Sequence, residues 1–502
     1  MANFKNMRLF LAAALFGLIA ACSSFRPALP ESPLPPSAQR SLMRVTVTSQ
    51  GYIFHRPWQQ RRTVTQTAIG AIVPGGRILV TSTLVADQRY IELETLDTQQ
   101  RQAARVAVVD YEANLALLEP MDPAFLAGRT AFELAGDAAL GDRLTIWQVK
   151  PNGDVLSADG QLTSVELGIF SLDQFFLTYR LSSSLQYRFN NVTLPVVREG
   201  ALAGLVLRQS ATGQTIEVVS TPVIRHFLAD ARDGQYAGFP TAGFHYGATT
   251  DPQLRRYIGL PDGTSGIYVE KVIKGGPADK SGLRAGDVIL QMGDYPISNE
   301  GQFQDPLYGR TSVVHLIRTL YHVGDALKLQ VYRQGKTFPI QVVLDHRRPD
   351  QYLVPPYMFD QPPAYLIVGG LILQELSVPY LREYGNDWAS TAPVDLLYYQ
   401  QNQDYPNGGE QREKIVIISD TIPTSYSIGY ENLSNLVVTR VNGRNIGKLS
   451  DVRRALASPV SGFHKIELQQ HPKVIYLDPK ELPLIHQLII KRYRIPIPPL
   501  TP

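Results

Sequence analysis

A single cysteine, Cys22, in 502 residues excludes an internal disulfide and any metal centre built on thiolates. Histidine is scarce as well, and none occurs between His55 and His226. A reaction needing an imidazole base from that stretch has no side chain to supply it. Charge of either sign is thin: 48 basic against 45 acidic side chains leave a net +3. Phosphate recognition needs a concentrated basic face, so no nucleic-acid partner is expected. Walker-type loops, dinucleotide glycine fingerprints and His/Cys metal spacings are all missing, and no cofactor or metal is expected. The apolar run Leu9–Ala21 is too short for a comfortable membrane span, which takes about 20 residues.

What that run does fit is a processing signal. Lys5 and Arg8 form a basic region ahead of it, and it ends in Leu18-Ile19-Ala20-Ala21-Cys22. Those residues resemble a bacterial lipobox, which implies cleavage before Cys22 and lipid attachment to it. Residues 1–21 are then a lipoprotein signal peptide. Residues 22–41 hold the lipidated cysteine and a tether with five prolines from Pro27 to Pro36. An uncleaved anchor, or an ordinary signal with an incidental cysteine, are the alternatives. Ser23 resembles the sorting pattern for the outer membrane, so the expected location is the cell envelope, on the periplasmic face of that membrane.

Beyond the tether the composition is 44% apolar with 25 tyrosines, as in a β-rich globular protein, and the length suits about three domains. Residues 42–230 consist of short β-branched runs broken by Gly, Pro, Asn and Asp, closing with a helical segment, Pro222–Ala229. That pattern predicts a barrel. Gly70–Val73 and Arg77–Val80 make a hairpin around Pro74-Gly75-Gly76, and strands follow at Tyr90–Leu96, Arg105–Asp110 and Leu115–Leu118.

The order resembles the trypsin-like double barrel of HtrA/Deg serine proteases. Ile78-Leu79-Val80-Thr81-Ser82-Thr83-Leu84-Val85 matches the segment that carries the general-base histidine, which puts Thr83 at that position. Asn114-Leu115-Ala116-Leu117-Leu118 matches the strand that opens with the aspartate, which puts Asn114 there. Phe189-Asn190-Asn191-Val192-Thr193-Leu194-Pro195 matches the nucleophile loop, with Val192 at the serine and Asn190, Thr193 and Leu194 where glycines would shape the oxyanion hole. The resemblance therefore implies a degenerate triad at Thr83, Asn114 and Val192 and no catalytic residues. An improvised pair of His55 or His226 with the Ser182–Ser184 run is the competing reading; a surface histidine pair and a polar strand face is the plainer one.

Residues 238–346 resemble a PDZ domain. Ala242-Gly243-Phe244-His245 stands where a loop would take a peptide's terminal carboxylate, and Gly266–Val269 and Gly276–Ile289 follow at the family's spacing. Thr311–Leu320 has apolar residues at helical spacing and fits the helix that walls the peptide groove. His315 on it is expected at the groove rim or in solvent, with a specificity role as the alternative. Gly301–Arg310 reads as an insertion. After a proline-rich linker from His346 to Pro363, residues 362–498 form a divergent second PDZ-like domain. There Val437–Ile446 echoes Val288–Ile297, Asn442-Gly443 is the turn, Asp451–Ala457 a helix and Asp404–Gln411 a surface loop. It resembles the last domain of plant-type Deg proteases, where the family role is assembly.

The expected architecture is thus mainly β: a trypsin-like double barrel followed by two PDZ or PDZ-like α+β domains. The implied function is that of a catalytically inactive HtrA-like lipoprotein acting as chaperone, adaptor or scaffold in the envelope. Its implied partners are protein or peptide C-termini through the first PDZ domain, the membrane through Cys22, and further copies of itself, a trimer by resemblance. The alternatives are an active serine endopeptidase with a noncanonical site, and a structural envelope protein with an unused groove.

Overall fold

A computed structural model describes residues 40–149, 155–170, 172–183, 193–210, 214–402 and 412–498. Cys22, Val192 and the Asp404–Gln411 stretch lie outside the described residues. Strands β1 (Leu42–Ser49), β2 (Val64–Val73), β3 (Arg77–Val80), β4 (Gln88–Thr95), β5 (Arg101–Asp110) and β6 (Leu115–Pro120) close into a barrel in the order β1-β2-β3-β6-β5-β4. The β2–β3 hairpin has the expected register, Val73 opposite Arg77, with Gly75 and Gly76 both at positive φ. Short helix α1 (Ser82–Val85) follows β3 directly. A second barrel joins β7 (Arg143–Val149), β8 (Val155–Ile169), β9 (Phe175–Ser183), β10 (Pro195–Arg198), β11 (Ala201–Gln209) and β12 (Thr215–Ser220) in the order β10-β11-β12-β9-β8-β7. Alternation along these strands sends Leu79, Leu117, Phe176, Leu202 and Val219 into one core shared by both barrels. Helix α2 (Thr221–Asp230) seals it with Val223, Ile224 and Phe227.

The next domain has strands β13 (Phe244–Ala248), β14 (Ile267–Val272), β15 (Val288–Met292), β16 (Tyr295–Pro296), β17 (Gln302–Asp305), β18 (Gly309–Ser312), β19 (Ala326–Arg333) and β20 (Lys336–Val343). Its main sheet runs β13-β14-β15-β19-β20, which leaves β13 at the edge. Helices α3 (Pro252–Ile258), α4 (Pro277–Lys280) and α5 (Val313–Thr319) complete it. Helix α5 starts where the Ser312 hydroxyl caps the Val314 amide, and its Val313, Leu316 and Ile317 face the core. The stretch read as an insertion is the β17–β18 hairpin, and it is a docking element: Tyr308 at its tip packs on the barrel cores with its hydroxyl 3.1 Å from that of Tyr179.

The last domain comprises β21 (Tyr365–Val368), β22 (Leu371–Glu375), β23 (Val416–Thr421), β24 (Leu436–Val441), β25 (Arg444–Asn445), β26 (His464–Leu468) and β27 (Val474–Leu477). Helices α6 (Val378–Arg382), α7 (Trp388–Thr391), α8 (Val394–Gln401), α9 (Leu449–Leu456) and α10 (Leu482–Tyr493) belong to it. The echo between the two domains is structural: Ile297 donates to the Leu290 carbonyl at 2.9 Å and Ile446 to the Thr439 carbonyl at 3.0 Å, each closing the same β-turn-β unit. Asn442 and Gly443 make that turn at φ 50° and 78°. Helix α9 begins at Leu449 rather than Asp451, because the Asp451 carboxylate accepts the Gly447 and Lys448 amides and stabilises an earlier start.

This domain is clamped to the first barrel. The long β1–β2 connection inserts Phe54 among Val354, Leu376 and Leu381 and packs Trp58 against the last domain's core. Glu383 accepts both the Phe54 amide at 3.1 Å and the Arg61 guanidinium at 2.6 Å. The proline-rich linker is packed too: Phe359 meets Tyr111 at 4.3 Å between ring centroids, and the Asp360 amide donates to Asp87 at 2.9 Å.

Candidate functional site

Thr83 and Asn114 come together. Asn114 sits at φ 54°, a left-handed conformation that asparagine tolerates better than most residues, and is almost fully buried. Its Oδ1 accepts the Thr83 amide at 3.1 Å and the Ser82 hydroxyl at 3.2 Å. Thr193, the residue after Val192, is held to the same corner: its hydroxyl lies 2.5 Å from that of Thr81 and accepts the Thr81 amide at 3.1 Å. The chain at Thr81–Thr83, Asn114 and Thr193 thus converges on one corner. What Thr83 and Asn114 present there is a hydroxyl and a carboxamide. Neither takes up a proton near neutral pH, and a carboxamide carries no charge to stabilise an imidazolium. Thr193 and Leu194, where the resemblance places glycines, are fully buried, and Leu194 keeps negative φ.

The two barrel histidines are not a surface pair. His55 lies between Tyr380 and Tyr384, at 4.6 and 4.8 Å between ring centroids, and burial pushes its pKa down. His226 is stacked between Phe239 at 4.5 Å and His322 at 4.0 Å, with Nδ1 3.3 Å from the Thr319 carbonyl. Burial, then the neighbouring imidazole, lowers its pKa to about 4. Both rings are interdomain packing, which a sequence cannot distinguish from exposure. Ser183 donates to the Asp159 carbonyl at 2.9 Å, within its own sheet.

In the first PDZ-like domain Gly243 has φ +76°, and a Cβ there would come within 3.0 Å of Pro277 Cδ, so glycine is required by both backbone and contact. The Ala242 carbonyl accepts from Ala278 and the Gly243 carbonyl from Ile273, both at 2.9 Å, which ties the loop to β14 and α4. The Gly243 amide is held by the Thr241 hydroxyl at 3.3 Å. Phe244 turns toward the core, while His245 is exposed opposite Lys271. Strand β13 pairs on one side only, which leaves its other edge open to an added strand.

His315 does not line the rim. It is 2% exposed, with Nε2 3.8 Å from Asp305, because the β17–β18 hairpin folds over that face of α5. Burial lowers its pKa. Arg318, on the same helix, was not foreseen: it pairs with buried Glu112 at 3.2 Å and lies over the Phe176 ring at 4.7 Å. The second domain differs at the equivalent edge. There β21 pairs with β22 through the Gly369-Gly370 turn, so the strand corresponding to β13 already has neighbours on both sides. Among the described residues no helix is long and apolar enough to cross a membrane, and no group of three or more His, Cys, Asp or Glu could hold a metal.

Two closed six-stranded barrels that share a core, followed by two further domains whose central β-turn-β units match, define a trypsin-fold protein with PDZ domains. PDZ-domain family models match residues 250–344 and 354–498. Protease Do-like 2 of Arabidopsis thaliana, chloroplastic, is 28% identical over 82% of this chain and 67% of its own length. Protease Do-like 4 of the same plant, mitochondrial, is 24% identical over 88% and 81%. Among solved structures, a variant of the HtrA-type protease AlgW with a decapeptide superposes with a TM-score of 0.50 at 19% identity, covering 62% of this chain and 97% of that one. The chain belongs to the HtrA/Deg family.

Proposed function

We propose that this chain is a lipid-anchored, catalytically silent HtrA/Deg protein of the cell envelope that binds protein C-termini through its first PDZ domain. The observation that carries the reading is the Thr83–Asn114 pair: a backbone amide bonded to a carboxamide at 3.1 Å occupies the corner where a base and its carboxylate would sit. In a related chemistry, loss of the base or nucleophile alone costs on the order of 10⁶ in turnover. The open edge of β13 beside the Gly243 loop supports recognition as the remaining activity, and the covered edge of β22 favours the first domain as its seat. The second domain acts in assembly and in clamping the first barrel.

Two measurements on the purified full chain test this. A fluorophosphonate probe and unfolded casein are expected to give no labelling and no cleavage; a labelled barrel serine would establish an endopeptidase instead. Peptides with a terminal carboxylate are expected to bind saturably, and amidation is expected to abolish binding. No difference between acid and amide would favour a structural role with an unused groove.

A further inference from the structure

Where domains meet, the histidine atoms His55 Nε2, His226 Nε2 and His315 Nδ1 are buried without a hydrogen-bond partner. Buried polar atoms are otherwise nearly always paired, so each is an exception that calls for a cause. His226 lies on α2 of the barrels and stacks on His322 of the first PDZ domain with the ring planes 9° apart. Its Nδ1 faces the Thr319 carbonyl, which can only accept, so Nδ1 carries the hydrogen of the neutral ring and Nε2 is bare. A second proton would go to Nε2, where no acceptor waits. His226, His315 and His322 line one cavity of about 360 Å³ between α2, α5 and the β17–β18 hairpin.

The charges around His226 are already engaged. Arg225 pairs with Asp137 at 2.6 Å, and Asp305 accepts the Leu307 and Tyr308 amides at 2.9 Å. Asp230 accepts the Ala237 and Gly238 amides, and Asp110 accepts the Tyr236 hydroxyl. Glu112 works the other way, since burial raises its pKa and a proton there is favoured in the seated state. His55 repeats the device at the second seat. Carried on the β1–β2 connection, its ring sits between Tyr380 and Tyr384 of the last domain, with Glu383 and Asp420 as the neighbouring carboxylates. Glu383 is held by the Phe54 amide and Arg61.

We infer that His55 and His226 are acid-sensitive latches, whose protonation lifts the last domain and the first PDZ domain off the barrels while each domain stays folded. Opening gives the bare Nε2 water as a partner, so the proton binds the open form more tightly and shifts the population toward it. With His226 at about 4 when seated and at 6.5 when hydrated, its opening constant rises about thirtyfold between pH 7.5 and pH 5.

Hydroxyl-radical footprinting of the full chain at those two pH values tests this. Oxidation of Phe239 and Tyr308 at one seat, and of Phe54 and Tyr380 at the other, is expected to rise at least about tenfold at pH 5. Met43 and Met292, fully buried inside the first barrel and the first PDZ domain, are expected to stay protected. His226→Phe keeps a ring in the stack and should abolish the rise at Phe239 and Tyr308 only; His55→Phe should abolish it at Phe54 and Tyr380 only. No rise in the unsubstituted chain would overturn the inference. So would a rise that Met43 and Met292 share, which would mean unfolding, or one that survives both substitutions.

Discussion

The seat between the second barrel and the first PDZ domain is built to weaken in acid, and His226 gives the size of the effect. Its ring is 3% exposed and stacked between Phe239 and His322. Burial and the adjacent imidazole hold its pKa at about 4 against the ordinary 6.5 of histidine, and the Thr319 carbonyl, Asp230 and Asp110 offset part of that. The folded form therefore disfavours the proton, so this contribution is complete above pH 6.5 and is lost as pH falls from there toward 4. At about 1.4 kcal/mol per pH unit, the loss between pH 7 and 4.5 is about 2–3 kcal/mol. His315, lowered in the same direction by burial, adds to it. His226→Phe keeps an aromatic ring in the stack and removes the titration. For a unit of this size the midpoint of thermal unfolding should fall about 5–10 °C further on acidification in the unsubstituted chain than in the variant. Equal falls would refute the assignment.

Three further outcomes follow from the same contacts. Arg318→Met leaves the Glu112 carboxylate buried without its cation, so stability should drop by about 3–5 kcal/mol at neutral pH and partly recover as acid protonates Glu112; calorimetry at pH 5 and pH 8 reads this. Gly243→Val forces a β-branched residue to φ +76°, at a cost of about 1–2 kcal/mol, and should abolish carboxylate-peptide binding in a fluorescence titration while the barrels still fold. Phe54→Ala should remove about 2 kcal/mol from the clamp on the last domain and speed proteolytic cleavage between residues 346 and 363.

The elements legible in the sequence were those whose cause is local. Gly75-Gly76 and Asn442-Gly443 state their turns outright, and the spacing of Val313 and Ile317 gives the inner face of α5. Its outer face was misread because a polar side chain aimed at another domain looks like one aimed at water. His315 and Arg318 both point outward from the PDZ core, and His315 is buried under the β17–β18 hairpin while Arg318 is half-buried against the barrel. His55 and His226 fail for the same reason. Nor does Tyr365–Val368 announce that it will cover the edge of β22, since any apolar strand near a glycine turn could pair on either side. Thr83 and Asn114 come together because the apolar residues flanking them set the register of β3 and β6.

The loop from Asp110 to Asn114 shows what holds that corner in shape. Asp110 accepts the Ala113 amide at 2.7 Å and the Tyr236 hydroxyl at 2.5 Å, Glu112 pairs with Arg318, and Asn114 fastens α1. None of these contacts needs a carboxylate at 114 or an imidazole at 83. Asn114→Asp would keep both acceptor bonds while burying a charge beside Asp110 and Glu112, so a loss of about 1–3 kcal/mol at neutral pH is expected, smaller in acid. If the corner retains room for a base, adding Thr83→His should recover part of that loss, with a coupling of at least about 1 kcal/mol in a double-mutant cycle. Additive effects would mean that an imidazole at 83 does not reach a carboxylate at 114, although Thr83 itself is exposed.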